Sequence, residues 1–217
     1  MKSTLCAIVG LAISSISSHA ALVIDNIGNG TQGFADSLSG PTATGSFGFG
    51  TFEDREVAFS FTTGSVPTFL DDLTFSMNIG KAILDPIQIV LSTGANAPGG
   101  TNPVVLGSVA PAPSPTAQLL TLTPTVPPAL LASTTYWLHI TVPVGEALYS
   151  VRSSDGATLA SGWSLGTTWS KTPSTSWTEG NTALGGDIRM NVSPIPEPSI
   201  ASLFGSIGIL LLMRRRR

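Results

Sequence analysis

Apolar and polar side chains alternate with a period of two along much of this 217-residue chain. Val57, Phe59 and Phe61 interleave with Ala58, Ser60 and Thr62, and Leu73, Phe75, Met77 and Ile79 with Thr74, Ser76 and Asn78. Further runs follow at Ile87, Ile89 and Leu91, at Leu120 and Leu122, at Tyr136, Leu138, Ile140 and Val142, and at Ile188, Met190 and Val192. Successive side chains of a strand point to opposite faces, so most of these runs predict a strand with one apolar face and one face rich in Ser and Thr. Turn-forming residues separate them, among them Asn29-Gly30, Gly40-Pro41, Thr63-Gly64, Pro98-Gly99-Gly100, Asp155-Gly156 and Gly185-Gly186. Away from the chain ends no stretch sustains the 3.6-residue stripe of an amphipathic helix. Many short strands at this spacing predict an all-β fold, an antiparallel β-sandwich that is jelly-roll-like. The Pro-rich stretches at 110–115 and 124–128 read as loops decorating one domain, because the strands beside them are short.

Both ends break this pattern. Near the C-terminus, Pro196-Glu197-Pro198 precedes an apolar run from Ile200 to Met213, and Arg214, Arg215, Arg216 and Arg217 follow it. As a helix the run would rise about 21 Å, short of a hydrocarbon core of about 30 Å. Extending the span to about residue 199 and letting the arginines snorkel narrows the gap. A soluble amphipathic helix would show a charged face, and this run has none before its cationic stop. The arginines hold that end on the cytoplasmic side and place everything upstream outside. At the other end, Lys2 gives a minimal positive region, Leu5 to Ile16 an apolar one, and Ser18-His19-Ala20 small residues where a signal peptidase requires them. Residues 1–20 thus read as a secretory signal helix that engages the secretion translocon and is cut between Ala20 and Ala21. Cys6 sits too early for a lipoprotein box. The expected organisation is signal at 1–20, exported domain at 21–193 and tail at 194–217.

Removing the signal removes Cys6, the only cysteine, so the exported domain holds no disulfide and must rely on its core. Between Ala21 and Ile195 stand twelve acidic and five basic residues, a net charge of −7. An acidic, charge-poor domain argues against nucleic acid or anionic lipid as a partner of the domain as a whole.

Candidate chemistry is thin. His139 is the only histidine beyond the signal, and it alternates outward between Trp137 and Thr141, where a structural histidine is the commoner case. Gly162-Trp163-Ser164-Leu165-Gly166 matches a nucleophile-elbow pattern, but no helix pattern follows Ser164 and His139 precedes it. Glu53-Asp54 and Asp71-Asp72 are adjacent carboxylates that would point to opposite faces of a strand, unlike a glycosidase pair across a cleft. No Cys/His set suits zinc, and Asp71, Asp72, Asp155 and Asp187 lack the spacing of a calcium loop. We assign no catalytic residue, no metal ligand and no cofactor from the sequence. Trp163, Trp169 and Trp177 lie in a Ser/Thr/Gly-rich stretch and are candidate sugar-stacking residues, although most such tryptophans simply pack.

Pro196-Glu197-Pro198, the apolar run and the arginine cluster together resemble the PEP-CTERM sorting signal of Gram-negative bacteria. The body resembles the choice-of-anchor R domain, through Ala58-Phe59-Ser60-Phe61-Thr62-Thr63-Gly64, Pro98-Gly99-Gly100 and Leu130-Leu131-Ala132-Ser133-Thr134-Thr135-Tyr136-Trp137-Leu138. The first resemblance implies an exosortase, a membrane-embedded cysteine peptidase, as partner. It also implies a single membrane span in the precursor, and a destination at the cell surface or in the extracellular matrix, linked to exopolysaccharide and biofilm. Neither resemblance implies a catalytic residue. Two functions follow as expectations: a structural surface protein, or a carbohydrate-binding module with a polysaccharide partner.

Overall fold

The computed structural model describes residues 19–28, 32–41, 54–79, 85–94, 98–112, 117–145, 148–173, 175–180 and 185–196. Their secondary structure is all-β, in strands β1 (Ala21–Asp25), β2 (Gln32–Ser39), β3 (Glu56–Thr62), β4 (Thr68–Ile79), β5 (Ile87–Thr93), β6 (Thr101–Val109), β7 (Gln118–Leu122), β8 (Ala129–Leu130), β9 (Thr135–Thr141), β10 (Leu148–Ser154), β11 (Thr158–Leu159), β12 (Ser164–Lys171), β13 (Thr178–Glu179), β14 (Gly185–Gly186) and β15 (Ile188–Pro194). The strands form two antiparallel sheets. The first runs β11-β1-β15-β4-β10-β14, with β2 on β10 and β7 and β8 on β4; the second runs β13-β12-β3-β9-β5-β6. The chain passes repeatedly from one sheet to the other, as at β3 to β4, β4 to β5, β8 to β9 and β9 to β10.

The alternating runs set this arrangement. Phe59 and Phe61 of β3, Leu73, Phe75 and Met77 of β4, Ile87, Ile89 and Leu91 of β5, Tyr136, Leu138 and Ile140 of β9 and Ile188, Met190 and Val192 of β15 are all buried in one apolar cluster fed by both sheets. At roughly 1.5–3 kcal/mol per buried side chain, this cluster supplies the main stabilising term for a domain without a disulfide. The stretch 124–128 joins β7 to β8, which both pair with β4.

One expectation is overturned. Asp71 and Asp72 do not point to opposite faces, because the β4–β15 register shifts beside them, between Asn191 and Val192. Leu70 and Leu73 therefore both enter the core while both carboxylates stay partly exposed. The Asp71 Oδ1 accepts from the Ser193 hydroxyl at 2.9 Å and the Asp72 Oδ1 from the Asn191 amide at 2.8 Å. The expected signal helix, apart from His19 and Ala20, and the expected membrane helix and arginine stop lie outside the described residues. Among the described residues, no helix is long and apolar enough to cross a membrane.

Candidate functional site

The face of the second sheet turned away from the core carries most of the unusual side chains. Its register sets Trp169, Ala58, His139 and Val90 in one row, Ser60, Trp137 and Ser92 in the next, and Lys171 opposite Glu56 at the border. Polar outward positions are what period two dictates, yet Trp137 is only 2% exposed and His139 only 9%. Two segments enclose them. The Trp137 indole N–H donates to the Gly94 carbonyl at 2.8 Å, tying the strand to the start of the β5–β6 connection, and its ring meets that of Trp169 edge-on at 5.8 Å. Trp177, on the β12–β13 connection, meets the His139 ring edge-on at 5.3 Å. The Lys171 ammonium lies 5.2 Å from the Trp177 ring centre and 3.0 Å from the Glu56 Oε1, a cation–π contact and an ion pair on one charge.

His139 and Ser92 form the one serine–histidine contact on this face, at 2.8 Å between Oγ and Nε2. The Gly99 N–H also points at Nε2, at 3.4 Å. A backbone N–H can only donate, so the Gly99 contact makes Nε2 the acceptor; the Ser92 hydroxyl then donates to it and the proton of the neutral ring resides on Nδ1. Burial, followed by the nearby positive charge of Lys171, lowers the His139 pKa from 6.5 to about 4. The ring is therefore neutral at physiological pH. Ser92 is itself buried and uses its hydroxyl inside the protein, and among the described residues no carboxylate reaches the far side of the imidazole. The chemistry available here is a fixed polar contact under an aromatic cover.

Trp163 is elsewhere. It is buried in the main core, its ring stacked on Phe61 at 6.3 Å and 12°, while Phe61 stacks on Tyr136 at 5.6 Å and 17°. Gly64 makes room for it, since a Cβ there would stand 2.9 Å from the indole nitrogen. One edge of Trp163 lines a groove of about 280 Å³ with Val23, Val66, Thr68, Val192 and Pro194. Of the three candidate sugar-stacking residues, the fold places Trp169 and Trp177, both half-buried, beside the cluster on the outer face and leaves Trp163 in the core.

The remaining candidates are dispersed. Ser164 opens strand β12, so Gly162-Trp163-Ser164-Leu165-Gly166 leads into a strand and makes no strand-to-helix turn. Asp187 is buried at the junction of β14 and β15, where its Oδ1 accepts from the Gly28 N–H at 3.2 Å and the Ser154 hydroxyl at 3.1 Å. That carboxylate closes loops. Among the described residues no three His, Cys, Asp or Glu side chains are grouped to hold a metal ion. Ala20 precedes β1, Ala21 opens it opposite Val192, and Pro196 is described, whereas Glu197, Pro198 and Arg214 to Arg217 are not. Sequence reasoning passed over Trp137, Ser92 and Lys171. The available signal was a tryptophan beside a histidine on the supposedly wet face of a strand. No family model, curated protein or solved structure matches this chain.

Proposed function

We propose that this chain is an exported structural protein of the Gram-negative cell surface or extracellular matrix, linked to exopolysaccharide and biofilm. Residues 1–20 direct it to the translocon and are cut off at Ala20-Ala21. Residues 21–193 form a jelly-roll-like β-sandwich, a reading supported by two sheets that share one core and by the repeated crossing between them. Residues 194–217 are a sorting tail that holds the precursor in the inner membrane until an exosortase-type peptidase acts near Pro196-Glu197-Pro198. The observation that carries this is the pairing of a signal-like N-terminus with the Pro-Glu-Pro, apolar and tetra-arginine sequence at the other end. A structural role is supported by the burial of His139 and Ser92 under Trp137, Trp169 and Trp177. Intact mass spectrometry on the surface fraction of the native host is expected to find no Arg214 to Arg217. Mature surface protein that retains the whole tail refutes the sorting role.

A second reading, a carbohydrate-binding module, draws on the half-buried Trp169 and Trp177 beside one another's clusters on the outer face. On that reading Trp177→Ala abolishes retention on a polysaccharide column while the melting temperature stays near that of the parent. A parent chain that binds no polysaccharide on a glycan array removes it.

A further inference from the structure

Antiparallel pairing brings both ends of the described domain to one place. Ala21 of β1 lies opposite Val192 of β15, and Pro194 lies opposite Thr68 at the start of β4. The same register gathers there the turns after β3, β7, β8 and β11, that is residues 63–67, 123–128, 131–134 and 160–163. They are bonded into one tip: the Ser133 N–H donates to the Gly64 carbonyl at 2.8 Å, the Thr63 hydroxyl to the Leu131 carbonyl at 2.6 Å, and the Leu70 N–H to the Pro128 carbonyl at 3.0 Å.

This tip is free of charged side chains. None of those turns contains an Asp, Glu, Lys or Arg, nor do residues 194–196, although the domain as a whole is acidic. Asp54, Arg55, Glu56, Asp85 and Lys171 sit at the opposite ends of their strands. In place of charge the tip exposes aliphatic side chains: Val126 is 79% exposed, Leu131 61% and Val66 58%. Ala21 and Pro194 both line the groove edged by Trp163, and the buried Thr68 hydroxyl beside it has no hydrogen-bond partner among the described residues. Soluble monomers seldom cluster exposed aliphatics without a partner for them.

The length of the connection names the partner. The apolar run of the tail begins at Ile200, four residues beyond Pro196. Four residues fully extended reach at most about 14 Å. A tail that enters the bilayer at Ile200 therefore keeps Pro194, six residues away, within about 21 Å of the hydrocarbon core, close enough for its neighbouring turns to meet the head groups. Glu197 puts one carboxylate in that connection, but the turns beside Pro194 present an uncharged, aliphatic, Trp-edged surface of the kind that suits the interfacial layer.

We propose that this tip is a lipid-docking surface, on which the domain rests against the membrane with Val66, Val126 and Leu131 in the interfacial layer while the tail is held in the bilayer. The proposal rests on the reading of residues 199–213 as a membrane span. The test uses the chain with its tail retained and Cys6 replaced by Ser, reconstituted in vesicles of phosphatidylethanolamine and phosphatidylglycerol. Single cysteines at Val66, Val126, Leu131, Val144 and Leu210 each carry a bimane fluorophore. Val144 lies in an exposed turn at the far end of β9 and serves as the distant control. Probes at 66, 126 and 131 are expected to lose emission when doxyl-labelled lipid is included and to resist aqueous iodide, with the probe at 144 behaving oppositely. If the probe at 210 is quenched by lipid while the three tip probes respond like that at 144, the docking proposal falls and the membrane tail stands. If the probe at 210 is not quenched by lipid, both fall. Tip probes shielded from iodide yet unquenched by lipid mean that protein covers the tip, which also overturns the proposal.

Discussion

The three-ring stack at the tip end of the core gives the sharpest test of the packing. Phe61 is fully buried between Tyr136 and Trp163, with ring centres 5.6 and 6.3 Å away and planes within 17° and 12° of parallel. Phe61→Leu keeps an apolar side chain of related size but loses both ring pairs, each worth about 0.5–1.5 kcal/mol, so a loss of about 1–3 kcal/mol is expected. Phe61→Ala adds the cavity and is expected to cost about 3–5 kcal/mol, a large share of a typical total of about 5–15 kcal/mol. For a domain of this size each kcal/mol shifts Tm by roughly 2–4 °C. The measurement is a urea titration of protein spanning residues 21–196, followed by far-UV dichroism so that loss of a tryptophan does not alter the signal. The midpoint falls and the slope stays constant if only stability changes. A double-mutant cycle with Trp163→Leu isolates the stacked pair, with an expected coupling of about 0.5–1.5 kcal/mol. If Phe61→Ala stays within about 0.5 kcal/mol of the parent, as a surface change would, the stack is not in the core and the sheet assignment of β3 is wrong.

His139 predicts a pH dependence. Its pKa is depressed to about 4 from 6.5, so the unfolded chain takes up the proton first as pH falls; the contribution is whole above pH 6.5 and is lost on the way down to about pH 4, by at most about 3 kcal/mol. Burial raises the Asp54 carboxyl and acts in the opposite sense, so the quantity to follow is the difference between parent and His139→Gln, which should open below pH 6.5; parallel curves would contradict the burial of the ring. Ser154 places its hydroxyl between the Asn26 carbonyl and the Asp187 carboxylate. Ser154→Ala leaves a buried carboxylate with one partner fewer and is expected to cost about 1–3 kcal/mol by thermal unfolding, against no change if that junction is wet.

The candidate site divides along the same line as these predictions. Alternation places His139 on the outward face of its strand, and the structure puts it there, beside Trp137. That the outward face is covered was not legible. The cover comes from Gly94 in the β5–β6 connection and from Trp169 and Trp177, which lie 30 to 43 residues away in sequence. The tryptophans themselves were grouped by proximity in the chain. A strand that opens at Ser164, with a register shift between Leu165 and Thr168, separates Trp163 in the core from Trp169 on the opposite face. Strands β6, β10 and β12 carried no alternation strong enough to announce them. Pro103 and Gly107 interrupt β6, which pairs on one side only, while Ser and Thr dominate much of β10 and β12.

By itself the sequence determined that the chain is β-structured and which residues of its apolar runs lie inside, because alternation is a local property of the extended backbone. It holds wherever one face of a strand is buried. Phe59, Phe75, Ile89, Leu138 and Met190 needed no knowledge of their neighbours to be assigned inward, and all are in the core. What only the tertiary structure decided is which strands meet, and so which residues distant in sequence share a surface. The covering of Trp137 and His139, the stack of Trp163 on Phe61, and the gathering of Ala21 and Pro194 at one tip all depend on long-range antiparallel pairing. Period two fixes the face on which a side chain lies. What lies opposite that face depends on contacts between segments that the chain itself keeps far apart.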